Sequence, residues 1–189
     1  MSGKSQYLIE SDRLGLRWMT EEDCGDVVRW RNLERVRRHY IYRRPFTPEG
    51  ELAYYQSQVK PQRVMHFMIC LKDWGGRAAG CVVMNHPDPE HNRVESGLFL
   101  GEDAALGHGY GPEALGLGTS YVFAHWPLSG EAEPTLMSRI FTDNLPSIRT
   151  HERVGYRREG ILPQVVCTDG TAADMVVMVL RREDMKTCW

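Results

Sequence analysis

The sequence predicts an α+β, or mixed α/β, domain built on a mostly antiparallel sheet, and three observations point there. Segments with apolar residues at every second position alternate with segments that open on helix-starting signals. Three strand-like segments in the middle of the chain follow one another across short, turn-rich links, as antiparallel neighbours do. No repeat and no low-complexity stretch interrupts the 189 residues, so a solenoid is excluded and a single domain spanning 1–189 is expected.

The elements can be justified in order. RLGLRWM (13–19) alternates as a half-buried strand does. Thr20 with Asp23 makes a capping-box-like start to a helix whose buried stripe is Val27, Val28 and Trp30. A second helix begins where Thr47 can cap and Pro48 takes the first helical position. RVMHFMICLK (63–72) and AAGCVVMNH (78–86) form a hairpin across DWGGR, and NRVESGLFLG (92–101) completes an antiparallel run of three. PEALGLGTSYVFAHW (112–126) is an apolar helix in which Gly116 and Gly118 lower helix propensity but permit close packing on a sheet. LMSRIFT (136–142) is a strand, and NLPSIRTHERVGY (144–156) a short helix ending at Gly155 in a left-handed cap. ILPQVVC (161–167) and MVVMVLRR (175–182) are the last two strands. The sum is about seven strands and about four helices in the order β-α-α-β-β-β-α-β-α-β-β.

Composition narrows the function. Hydrophobic residues make up 42% and charged residues 25%, which is ordinary for a folded soluble protein, and the formal charge of −2 argues against nucleic acid as a partner. No run approaches the roughly 18 apolar residues of a membrane span and the N-terminus lacks a signal-peptide core, so a cytoplasmic protein is expected. Cys24, Cys70, Cys81, Cys167 and Cys188 are scattered without a C-x-x-C pair, which suggests reduced packing residues. HPDPEHNR (86–93) gathers His86, Asp88, Glu90 and His91, but its spacing fits no common metal-ligand pattern and two prolines make a turn the better reading, so no metal is expected.

One stretch asks for a specific chemistry. In LGHGYGPEAL (106–115), Gly107, Gly109 and Gly111 alternate before Pro112, where a helix opens. N–H groups at a helix start have no intrahelical partner and sit at the positive end of its dipole, so they attract anions. Alternating glycines let a phosphate or pyrophosphate approach them without a Cβ in the way. GYGPEA (109–114) formally satisfies a dinucleotide-binding G-x-G-x-x-G/A pattern, but the strands before it are hairpin-connected and the acids Glu131 and Glu133 fall in a loop. GKS (3–5) has neither the preceding glycine nor the strand that a phosphate-binding Walker loop needs.

The loop and its surroundings resemble the GNAT superfamily of N-acetyltransferases, in which a Q/R-x-x-G-x-G/A loop holds the pyrophosphate of acetyl-CoA. The resemblance covers nearly the whole chain and is nearest to the branch containing the ribosomal-protein N-terminal acetyltransferases. SDRLGLRWMTEED resembles the opening strand and helix, VESGLFLGEDAALGHGYGPEAL the central strand and loop, and FTDNLPSIRTHERVGYRREG a second cofactor segment. In the last, Asn144, Ser147, Ile148, Arg149, Glu152, Gly155 and Tyr156 fall at the branch's N-x-x-S-I-R-x-x-E-[KR]-x-G-[FY] spacing. One departure stands out: Leu106 occupies the place of the loop's usual Gln or Arg.

What the resemblance implies can be stated residue by residue. The twisted sheet should splay between its fourth and fifth strands, with backbone groups near Leu98, Phe99 and Leu100 binding the thioester carbonyl and pantetheine. Gly107, His108, Gly109, Tyr110, Gly111 and Pro112 would bind the pyrophosphate, and Asn144 and Ser147 would complete the cofactor site, the alternative for Asn144 being a plain helix cap. Direct transfer needs an amine stripped of its proton and a proton for the departing thiolate. Glu95 stands where relatives carry a base, although it could equally be a surface carboxylate bonded to Arg93. The acid is either His151, whose ordinary pKa of about 6.5 suits it, or Ser147; His151 could also be a mere helix-surface residue.

RWRNLERVRRHYIYRR (29–44) borders the implied acceptor site with seven arginines. Arg31, Arg38 and Tyr40 are the expected acceptor contacts, and arginine forks would favour an acidic peptide N-terminus or a phosphorylated amino sugar. A solvated helical face is the plainer explanation. The expected protein is a monomer or homodimer acting on a small-molecule or peptide amine, with acetyl-CoA as co-substrate. The alternative function is an acyl-CoA-binding sensor or scaffold without turnover.

Overall fold

In the computed structural model of the chain, the described residues are 6–88, 90–125 and 134–187, with the side chains of His86 and Pro87 not described. Eight strands form one sheet: β1 (Ile9–Glu10), β2 (Leu14–Trp18), β3 (Met65–Leu71), β4 (Arg77–Asp88), β5 (Arg93–Leu100), β6 (Thr135–Phe141), β7 (Arg157–Val166) and β8 (Ala172–Leu180). Their order is β1-β2-β3-β4-β5-β6-β8-β7, and only β5 and β6 run parallel. Among the described residues five α-helices accompany them: α1 (Cys24–Arg31), α2 (Glu34–Arg37), α3 (Pro48–Tyr54), α4 (Tyr110–His125) and α5 (Leu145–Val154). The metal reading of segment 86–93 and the acids Glu131 and Glu133 rest partly or wholly on residues outside the described set, as do Cys188 and the segment 3–5.

The local signals act as their chemistry requires. Thr47 Oγ1 accepts the Gly50 N–H at 3.1 Å with Pro48 beginning α3. Asp23 Oδ2 accepts the Thr20 N–H at 2.8 Å, although the turn it caps is a short 3₁₀ segment leading into α1. Gly155 ends α5 at φ +117°, and a Cβ there would stand 2.2 Å from the Asp184 carbonyl oxygen.

α4 is buried along most of its length and packs on one face of the sheet, where Leu14, Leu16, Phe67, Val82, Met84 and Leu136 join Leu115 and Val122. Close approach is built in, since a Cβ on Gly118 would lie 2.8 Å from Val82 Cγ1. The other face carries a second cluster in which Val27 and Trp30 of α1 cover Met68, Cys70, Cys81 and Val83. Cys24, Cys70, Cys81 and Cys167 are buried free thiols.

Three details differ from expectation. Ile9–Glu10 adds an eighth strand by pairing with Gly15 and Leu16. β7 begins at Arg157, four residues before the expected 161, because its first residues are polar and lie on an exposed edge strand. Residues 34–37 form a fifth, one-turn helix. No described helix is long and apolar enough to cross a membrane.

Candidate active site

The site begins where two parallel strands part. β5 and β6 pair at Arg93–Thr135, Val94–Leu136 and Glu95–Met137 and no further, although β5 runs on to Leu100 and β6 to Phe141. Buried hydroxyls clasp the fork. Ser138 Oγ donates to the Ser96 carbonyl at 2.8 Å, which leaves the Ser96 hydroxyl to donate to Ser138 Oγ at 2.7 Å and to accept from the Tyr156 hydroxyl at 2.6 Å. Burial raises the Tyr156 phenol above its ordinary range, so it stays a donor.

Beyond the fork lies a cleft of about 600 Å³. On its β5 wall, Gly97, Leu98, Phe99 and Leu100 pair only with Val83, Val82, Cys81 and Gly80 of β4. Their other side is therefore a strand edge unpaired with any described strand, although the Leu100 carbonyl accepts from Arg35. Leu98, Phe99 and Leu100 all line the cleft, as do Leu106 and Gly111 at its loop end.

In the loop, Gly107 and Gly109 both adopt φ +80°, a left-handed conformation that side-chain-bearing residues resist. α4 starts at Tyr110, so the positive end of a 16-residue helix and its unpaired first-turn N–H groups lie at the loop. His108 is exposed and its ring sits 5.9 Å from that of Tyr110. Pro112 is buried, as is Gly111 before it. It lies in the first turn of α4. Leu106 is 43% exposed and brings no polar group.

Asn144 and Ser147 line the opposite wall. Asn144 Oδ1 caps α5 by accepting the Ser147 N–H at 3.3 Å, leaving its amide nitrogen as the group a ligand could use. His151 is buried rather than on the helix surface, and it lines the cleft. It is 1% exposed, and Nδ1 faces the Ser147 carbonyl at 2.8 Å; a carbonyl only accepts, so Nδ1 carries the ring's hydrogen and Nε2 is bare and without a partner among the described residues. Burial lowers its pKa to about 4, so the ring is neutral near pH 7. To act as general acid the ring would have to take up a second proton at Nε2, which burial opposes.

Glu95 lies at the fork and lines the cleft, with both carboxylate oxygens taken by Arg139 of β6 rather than by Arg93. Sequence reading missed Arg139, Ser96 and Ser138, because nothing local marks residues that meet only across two strands.

The arginine stripe is largely spent inside the fold. Arg31, 8% exposed, donates to Glu51 Oε2 at 2.7 Å and lies among the rings of Tyr40, Phe46 and Tyr54. Arg31 also lines the cleft, where its guanidinium is engaged in the ion pair with Glu51. Arg29 pairs with Asp26 and Glu102, Arg37 with Glu34, and Arg35 with Asp103 and the carbonyls of Leu100 and Gly101. Tyr40 lines the cleft, and burial raises its phenol pKa. Arg38 lines the cleft, is exposed, and makes no salt bridge among the described residues. No group of three or more His, Cys, Asp or Glu among the described residues is placed to hold a metal.

Comparison with known proteins agrees with this geometry. The family described as Acetyltransferase (GNAT) domain matches residues 13–157. The uncharacterised N-acetyltransferase YoaA of Bacillus subtilis (strain 168) is 25% identical over 170 residues, covering 88% of this chain and 92% of its own. The spermidine N-acetyltransferase of Vibrio cholerae, solved with CoA and spermine, superposes with a TM-score of 0.79 at 15% identity over 92% of this chain and 98% of that one. The microcin C7 self-immunity acetyltransferase MccE, solved with acetyl-CoA and AMP, gives 0.76 at 15% identity over 94% and 97%.

Proposed function

The chain belongs to the GNAT acetyltransferase family, and we propose that it is an acetyl-CoA-dependent N-acetyltransferase, one catalytic domain whose acceptor is a primary amine on an acidic molecule. A peptide with an acidic start and a phosphorylated amino sugar are the two acceptor types that fit. The observation that carries this reading is the parting of β5 from β6, in an opening lined by both the end of the glycine loop and Arg38. The two structural neighbours hold ligands of opposite charge, spermine and AMP. Here the exposed Arg38 and the arginine-bound Glu95 favour the anionic kind.

The residues divide the work. Loop N–H groups take the diphosphate, and the free edge of β5 at Gly97 to Leu100 donates to the thioester carbonyl as charge builds on its oxygen. The amine nitrogen attacks the carbonyl carbon, the C–S bond breaks, and the amine's proton passes to Glu95 directly or through one water. Ser147, rather than the neutral His151, donates to the departing sulfur, which takes its proton from solvent. Asn144 holds the cofactor through its amide nitrogen.

Calorimetric titration with acetyl-CoA, followed by thiol release against acidic-start peptides, amino sugar phosphates and polyamines, tests the reading. Binding followed by release with an acidic amine supports it. Binding without release across the panel favours an acyl-CoA sensor, and no binding overturns the assignment of the loop.

A further inference from the structure

Arg13 reaches the glycine loop from the strand beside it. It immediately precedes β2, and its carbonyl accepts the Lys72 N–H at 2.9 Å, so its backbone is fixed to the sheet. Nε donates to Glu113 Oε2 at 2.8 Å, Nη2 donates to the same oxygen, and Nη1 donates to the His108 carbonyl at 2.9 Å. Ser11 Oγ donates to the other oxygen of Glu113 at 2.6 Å, and Glu113 is 6% exposed. The guanidinium carbon also stands 4.9 Å from the centre of the Tyr110 ring.

Peptide geometry turns this grip into a direction. The His108 carbonyl and the Gly109 N–H belong to one trans peptide and point to opposite sides. Holding the carbonyl toward Arg13 fixes that N–H away from it and keeps a carbonyl dipole from swinging toward a bound anion. Glu113 sits in the first turn of α4, where its charge would oppose a diphosphate. Arg13 cancels that charge in place.

We infer that Arg13 is a positioning residue for acetyl-CoA, acting through His108 and Glu113 to set the diphosphate-binding shape of the 107–111 loop. The inference rests on the reading of that loop as the diphosphate site. It also accounts for a loop that opens on Leu106, because the order comes from a guanidinium outside the loop.

Steady-state kinetics with acetyl-CoA and with S-acetylpantetheine, which has the thioester but no diphosphate, separate this role from general support of the fold. Arg13→Met is expected to raise the KM for acetyl-CoA by about tenfold or more. The amine KM, and kcat/KM with S-acetylpantetheine, should stay within about twofold. Arg13→Lys keeps the charge but cannot span Glu113 and His108 together; it should fall in between, and it serves if the methionine variant does not fold. Equal losses with both thioesters, or no loss with acetyl-CoA in either variant, overturn the inference. Wild-type protein that uses both thioesters equally well overturns the reading beneath it, since the diphosphate would then contribute nothing.

Discussion

Arg139 on β6 holds both carboxylate oxygens of Glu95 on β5, Nε to Oε1 at 2.9 Å and Nη2 to Oε2 at 2.8 Å, across the last position at which the two strands still pair. Partly exposed ion pairs typically contribute about 1 kcal/mol or less to stability, so the value of this one lies in fixing where the carboxylate sits. Glu95→Gln is expected to lower kcat about 100-fold with the acetyl-CoA KM unchanged. Arg139→Met should lower kcat less, because the carboxylate survives but loses its orientation. Wild-type kcat in Glu95→Gln would reduce the pair to a strand-to-strand ion pair.

The two neighbours on α5 should separate in the same assay. The one hydrogen of the neutral His151 ring is held on Nδ1 against the Ser147 carbonyl, whereas the Ser147 hydroxyl, at the cleft wall, has no hydrogen-bond partner among the described residues. Ser147→Ala is expected to cost kcat at least about tenfold more than His151→Asn. The reverse ranking would return the acid role to the histidine.

Much of this was legible because its signals are local. Thr47 with Pro48, the glycine at 155 and the bare loop at 107–111 each fix a backbone conformation within a few residues. The missed features are made by distance. Arg13 and Glu113 are 100 residues apart, and Glu95 and Arg139 are 44 apart, so only the folded sheet brings them together. The same cause explains the stripe 29–44, whose arginines look free in sequence because partners such as Glu51, Glu102 and Asp103 lie on other elements. Strand β1, at two residues, is too short to show alternation.

Acid should weaken the fold through buried histidines. Burial pushes the His66 ring from 6.5 to about 3, and neither nitrogen has a partner among the described residues. The unfolded chain therefore takes up a proton that the folded one refuses; this stability is complete above pH 6.5 and is lost as pH falls from there toward 3. His151 acts with the same sign, while the Glu51 carboxyl, raised by burial, opposes it. Thermal melts of His66→Leu should show a smaller drop in Tm between about pH 7.5 and about pH 4.5 than the wild type. An unchanged drop would mean that the ring titrates normally.

Leu106 brings no side-chain donor to the loop end of the cleft. Leu106→Arg is expected to tighten acetyl-CoA binding by about threefold or more, read by calorimetry, while S-acetylpantetheine is unaffected. No gain would mean that the loop backbone, as braced, already satisfies the diphosphate.

The account turns on the charge of the acceptor. Its most direct measurement is the ratio of kcat/KM for an acidic-start peptide amine to that for spermidine, taken in the wild type and in Arg38→Glu by thiol release from acetyl-CoA. The expected result is a wild-type ratio above about ten that falls by at least about tenfold in Arg38→Glu with the acetyl-CoA KM unchanged. A wild-type preference for spermidine, or a ratio indifferent to Arg38, would contradict it.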